Sequence, residues 1–329
     1  MKETSKTQEF ILSKTPPDDH ELALSSYRIE YQPQLIEEAV LRAIVGHPDE
    51  RLFRVERDRI YELKDEEIRE ERFQEMHQRW FERLGLSAPL NDVFVRGSIL
   101  KFYTSKCLLV RARSKKDVGA ELYVDLKDSG IEEREKRSIV IQLTVELLTQ
   151  SKQLLTFLRH ELLHILDMLD PEFDYESNFP KSQMGPTYDV FLQERYRILW
   201  DITIDGRLYQ NGWLPPTVRD KHLRVFKNTF PGQIKELEHM FSHFFDKWPH
   251  THHELISFAQ SPETLFASSN SELSTKGQCS LCYFPSFDLI INPPLDLPIH
   301  LINKIQKDCP AWKPADPICR QCVDLYDFR

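Results

Sequence analysis

One stretch constrains this chain more than any other: Leu158-Arg159-His160-Glu161-Leu162-Leu163-His164-Ile165-Leu166. His160 and His164 stand four residues apart in an apolar segment of helical period, so both imidazoles fall on one helix face, one turn apart. Imidazoles so placed can hold one Zn²⁺, with ring nitrogens about 2.0–2.1 Å from the ion. Glu161 follows the first of them directly. Its side chain would not ligate but could reach a metal-bound water as general base. Gln153–Leu169 contains neither Gly nor Pro, and Pro171 supplies a stop just beyond.

The rest of the chain sets the frame. At 329 residues it has room for two or three domains, and 40% hydrophobic with 29% charged residues fits a soluble globular protein. A net charge of −9 argues against a nucleic-acid footprint spread over the whole surface. Met1 to Lys14 lacks an apolar stretch of signal-peptide length, and no run of about 18 apolar residues occurs, so no membrane span is expected. Four of the six cysteines form two C-x-x-C pairs. Without a signal peptide these read as metal ligands in a reducing cytoplasm rather than as disulfides.

Taken in order, the pattern predicts a mostly helical α+β protein. Residues 1–32 read as a loose polar arm broken at Pro16-Pro17-Asp18-Asp19. Leu35 to Val45 has helical spacing, and the charged stretch Asp49 to Leu84 reads as one long helix or two with a break, one face solvated. Strands are predicted at Cys107–Arg113, over the alternation Ala120–Leu126, and at Ser138–Val145, feeding directly into the H-E-x-x-H helix. Cys107 reads as a buried apolar residue. A second strong helix runs from about Tyr188 to Gln210. Residues 217–260 carry further helices, with Phe226, Phe230, Phe241, Phe244 and Phe245 as core and His250, His252 and His253 as a surface cluster. The expected domains are a helical region over 1–91, a catalytic core over 92–267, and a linker with a metal-bearing module over 268–329.

With its small sheet leading into an H-E-x-x-H helix, the chain resembles the zincin metallopeptidases. The resemblance is confined to about Ser138–Pro216. It implies hydrolysis of a peptide or protein substrate, with one edge strand of the sheet pairing with the extended substrate backbone. It also implies a third ligand on a later helix. In the gluzincin branch that ligand is a Glu, followed four residues later by an Asp that supports a ligand histidine. Asp201 matches the ligand position and Asp205 the supporting position, with Asp replacing Glu at the first. Two carboxylates on an apolar stretch would be costly to bury unless paired or metal-bound. Glu194, His222, His239 and His243 remain rivals for the third ligand, and an ion pair of Asp201 or Asp205 with Arg197 or Arg207 is the plain alternative. Asp167 is placed for a supporting role, and Tyr196, Arg207 and His222 are open candidates for an electrophile.

Beyond the Ser/Asn/Thr/Gly-rich stretch Ser268–Gly277, Cys279 and Cys282 form one knuckle and Cys319 and Cys322 another, separated by 36 residues. Four thiolates at that spacing suit one closed, structural Zn²⁺ site, which should supply much of the folding energy of so short and proline-rich a segment. Cys309 lies between the pairs as a free thiol or alternate ligand. From Lys276 onward six basic residues meet six acidic ones, so charge favours a protein partner for this module over DNA. The expected cofactors are thus two Zn²⁺, one catalytic at His160, His164 and Asp201, one structural at the four cysteines. Two further readings stay open: a non-catalytic two-zinc scaffold, and a SprT-like DNA-associated protease.

Overall fold

The computed structural model describes residues 27–96, 98–125, 134–179, 184–230, 234–262, 277–286 and 288–328. The chain divides into two compact units, one up to Asp170 and one from Pro171 onward. The arm over residues 1–26 and most of the predicted linker at 268–277 lie outside the described residues.

The first unit opens with strand β1 (Arg28–Tyr31), then helices α1 (Pro33–Ala43), α2 (Glu50–Tyr61), α3 (Glu66–Arg83), α4 (Ala88–Arg96) and α5 (Ser98–Tyr103). Strands β2 (Lys106–Arg111), β3 (Gly119–Val124) and β4 (Arg137–Leu143) follow, then the short α6 (Val145–Leu148) and α7 (Ser151–Leu169). The charged stretch therefore forms two helices, parted at Glu62–Asp65; Asp65 caps the second by accepting from the Ile68 N–H. Their charged faces are solvated and laced with ion pairs such as Arg83–Asp49. Inward, Phe53, Met76, Trp80 and Phe81 are buried.

The sheet order is β1-β2-β4-β3, with β1, β2 and β4 parallel and β3 antiparallel on β4. One face is closed by Cys107, Leu109, Ile139, Ile141 and Leu143, all fully buried. Burial pushes the Cys107 thiol well above its ordinary pKa, so it behaves as the apolar residue the sequence suggests. Strand β1 corrects the reading of residues 1–32 as a loose arm. Four residues are too few to show an alternation, and the partner strand β2 is remote in sequence. The helix α7 spans the predicted motif segment, burying Leu158, Leu162, Leu163, Ile165 and Leu166 and packing against α4 and β3.

The second unit is built around α8 (Pro186–Gln210), which packs against α9 (Thr217–Thr229), α10 (Ile234–Asp246) and α11 (His252–Gln260). A Cβ at Gly206 would stand 2.2 Å from the Phe245 carbonyl oxygen, so glycine there permits α8 and α10 to meet at backbone contact. Phe226, Phe230, Phe241, Phe244, Phe245 and Phe258 form the aromatic core. Beyond residue 276 the chain makes two two-stranded ribbons, β5 (Gly277–Gln278) with β6 (Pro285–Ser286) and β7 (Leu289–Ile290) with β8 (Ile318–Cys319). Helices α12 (Pro293–Asp296), α13 (Ile299–Asp308) and α14 (Arg320–Phe328) complete it. Among the described residues, no helix is long and apolar enough to cross a membrane.

Candidate metal centres

In the first unit, α7 presents His160, Glu161 and His164 at its half-buried margin while its leucines face inward. The two imidazoles come together as their spacing requires: His160 Nε2 and His164 Nε2 are 3.3 Å apart. That is long for a hydrogen bond between ring nitrogens. Two nitrogens each about 2.0–2.1 Å from a single tetrahedral ion stand about 3.3–3.4 Å apart. The pair therefore fits two corners of such a coordination sphere.

Glu161 is fixed by a backbone group. Its Oε2 accepts a hydrogen bond of 3.1 Å from the Ala120 N–H on β3. The strand's own pattern explains why that N–H is free to donate. Asp125 N–H donates to the Lys136 carbonyl at 2.8 Å, so by alternation Tyr123 and Glu121 turn their peptide groups toward β4. Ala120, Leu122 and Val124 turn theirs to the open side of an edge strand. The Glu161 carboxylate thus sits beside the outer edge of the sheet, which no other strand pairs among the described residues, next to the histidine pair.

The two predicted carboxylates lie in the second unit, on α8. Asp201 Oδ2 accepts from Arg197 Nη1 at 3.1 Å, the same-helix ion pair that was the plain alternative to ligation. Asp205 holds a histidine: its Oδ2 is 2.6 Å from His222 Nε2, and both side chains are largely buried. Glu194 is exposed and paired to Arg197, His239 is exposed, and Asp167 is buried on α7.

The four cysteines converge. Cys279, Cys282, Cys319 and Cys322 are all buried, with Cys279 Sγ–Cys322 Sγ and Cys282 Sγ–Cys319 Sγ each 3.7 Å. Sulfurs about 2.3 Å from one tetrahedral ion stand about 3.7–3.8 Å apart, so the cluster matches a Cys₄ metal site in donor type and spacing. Two backbone amides also point at sulfur: Cys319 N–H to Cys279 Sγ at 3.2 Å and Cys322 N–H to Cys319 Sγ at 3.4 Å. The neighbouring thiols lower the Cys279 pKa by hydrogen bonding, while the same crowding and burial raise that of Cys322. Four thiolates in one pocket repel unless a cation sits among them. Cys309 is not part of the cluster; its sulfur lies 3.5 Å from both the Thr187 and the Tyr326 hydroxyls.

The histidines at 250 and 252 depart from the surface cluster the sequence suggested. Both are buried, because each finds polar partners. Glu254 Oε1 meets His243 Nε2 at 2.7 Å and its Oε2 meets His250 Nδ1 at 3.0 Å, while His250 Nε2 lies 3.2 Å from the Lys247 carbonyl. Burial alone would raise the Glu254 pKa; the two imidazole hydrogen bonds outweigh it and bring it down to about 2. His252 Nδ1 is 2.6 Å from the Tyr196 hydroxyl, and its ring lies against those of Phe173 and Tyr175, which stack on Trp200. The i, i+4 spacing of His250 and Glu254 was visible in sequence. The Tyr196 partner was not.

Compared with known proteins, the chain matches no family model, no curated protein and no solved structure.

Proposed function

We propose that the protein is a zinc-dependent peptide hydrolase, with His160 and His164 as metal ligands, Asp201 as the third and Glu161 as general base. One observation carries this reading: a carboxylate stands at the free edge of β3, tied to its backbone, directly beside two imidazoles at ligand spacing. Edge strands bind extended peptides through main-chain hydrogen bonds, so β3 is the natural seat for a substrate backbone. Asp201 enters on the sequence match and on its half-buried position in α8. The four buried cysteines hold a second ion of structural character.

Zn²⁺ bound at the histidines would polarise the scissile carbonyl and make water a better nucleophile near neutral pH. The protein's own groups then do the rest. Outward-facing peptide groups of β3 align the substrate. Glu161 takes a proton from the attacking water and delivers it to the leaving nitrogen. The Ala120 N–H holds the carboxylate in place for both transfers, an orientation that a side chain alone on a helix margin would lack. His222, whose Nε2 lies 2.6 Å from Asp205 Oδ2, is one of the proposed electrophiles.

The test pairs metal content with turnover. Glu161→Gln is expected to keep its zinc and lose about 10²–10⁴-fold in peptide hydrolysis. His160→Ala/His164→Ala is expected to lose one of two zinc equivalents. Undiminished hydrolysis in Glu161→Gln would remove Glu161 from the mechanism. One observation favours a second reading, a docking scaffold: Ile291, Leu295 and Ile299 are all well exposed in the segment between the cysteine pairs.

A further inference from the structure

Arg195 has no place in the hydrolytic scheme, yet it is among the most deeply buried charges in the second unit, at 2% exposure. Its Nε and Nη1 are fully buried without a hydrogen-bond partner. A guanidinium normally finds a carboxylate or a carbonyl when it leaves water, because an unpaired buried charge is expensive. Here the guanidinium instead lies 3.7 Å over the ring of Phe284, with Phe230 at 5.5 Å. Phe284 belongs to the first cysteine knuckle: its carbonyl accepts the Cys279 N–H at 3.2 Å, and its ring stacks on Tyr188 of α8. Burial lowers the Arg195 pKa, and the Cys282, Cys319 and Cys322 sulfurs and the Tyr188 hydroxyl oppose that shift.

Four thiolates around one divalent ion leave a net charge of about −2 in a buried place. The two amide–sulfur bonds offset part of it with partial charges. A full positive charge is still called for, and Arg195 is the buried cation placed at the knuckle. We propose that Arg195 is the built-in counter-cation of the Cys₄ centre, so that the ion in the cluster and helix α8 stabilise each other. The inference rests on the four cysteines being a divalent-metal site, and it gives that site a reach beyond its own knuckles. With the ion bound, the buried guanidinium is neutralised and α8 is pinned against the cluster. With the ion gone and the thiols protonated, the same guanidinium is an uncompensated charge at the middle of α8, less than two turns before Asp201.

The experiment uses the full chain loaded with Co²⁺ in place of Zn²⁺, since cobalt–thiolate charge-transfer absorption reports the cysteine site separately from any histidine site. Chelator competition is followed for the unaltered protein, Arg195→Met, Arg195→Gln and Arg195→Lys, with thermal midpoints for loaded and stripped forms. Removing the charge is expected to weaken retention about 10–100-fold, as for other groups that support metal ligands, and Arg195→Lys to keep most of it. The midpoint should fall in the loaded Met and Gln variants and hold or rise in the stripped ones, because an unpaired charge has been removed. Equal losses in both forms, or unchanged retention, would make Arg195 a packing residue and overturn the proposal. Absence of the cobalt–thiolate band in the unaltered protein would overturn the Cys₄ reading itself, and the proposal with it.

Discussion

Two histidine clusters, one in each unit, use the same ring nitrogens but meet different partners. On α7 the nitrogens of His160 and His164 face each other at 3.3 Å. In the second unit His243 and His250 meet Glu254 at 2.7 and 3.0 Å. The shorter distances are those of hydrogen bonds between an imidazole nitrogen and a carboxylate oxygen. The longer one matches the edge of a tetrahedron of ligand nitrogens around one ion. His243 and His250 are thus joined through a carboxylate while the α7 rings face each other, and His243, His250 and Glu254 also lie close enough together to hold an ion. The cysteine cluster likewise has its buried sulfurs at the metal-type spacing of 3.7 Å.

Exchange of the two glutamates should break this contrast most visibly if it is wrong. Glu161→Gln is expected to cost about 10²–10⁴-fold in hydrolysis at unchanged stability, while Glu254→Gln leaves hydrolysis unchanged in the folded protein. Equal losses in initial-rate assays would mean that both clusters serve the reaction. Next comes metal content: elemental analysis should find one zinc equivalent missing from His160→Ala/His164→Ala and none missing from His243→Ala.

Acid stability sharpens the comparison from the other side. The folded Glu254 pKa is depressed to about 2, against an ordinary value of 4.5. Its stabilisation is therefore present above about pH 4.5 and is lost as pH falls toward 2. With allowance for its partly exposed carboxylate, about 1–2 kcal/mol should disappear across that window, and Glu254→Gln should flatten the slope in urea titrations at successive pH values. The smallest effect belongs to the third environment. Tyr196→Phe removes the hydroxyl bonded to the buried His252 and should cost about 1 kcal/mol in the same titrations. Burial lowers the His252 pKa, so its neutral form is the stabilising one and that stability is lost as pH falls below about 6.5.

Much of this was legible in the chain because it is local. The α7 segment announces itself by apolar period and by Pro171, and its two histidines can lie nowhere but together. The cysteine knuckles are equally self-contained. What could not be read depends on distant partners. A four-residue β1 exists because β2 offers it a register, not because Arg28-Ile29-Glu30-Tyr31 is a strong strand. His252 is a polar letter in a polar run until Tyr196, 56 residues earlier, takes it inside. Arg195 looks like one more charge on an amphipathic helix. Only the ring of Phe284, far along the chain, shows that it faces inward.

The tether on Glu161 has a consequence for variation in the sequence. Because the donor is the peptide N–H of residue 120, every side chain at that position preserves the bond except proline, which has no N–H to give. The most exacting contact of the proposed centre is therefore insulated from nearly all point changes at the residue that makes it. Position 120 can drift in size and polarity along the sheet edge, altering what lies beside it, while the carboxylate stays aimed.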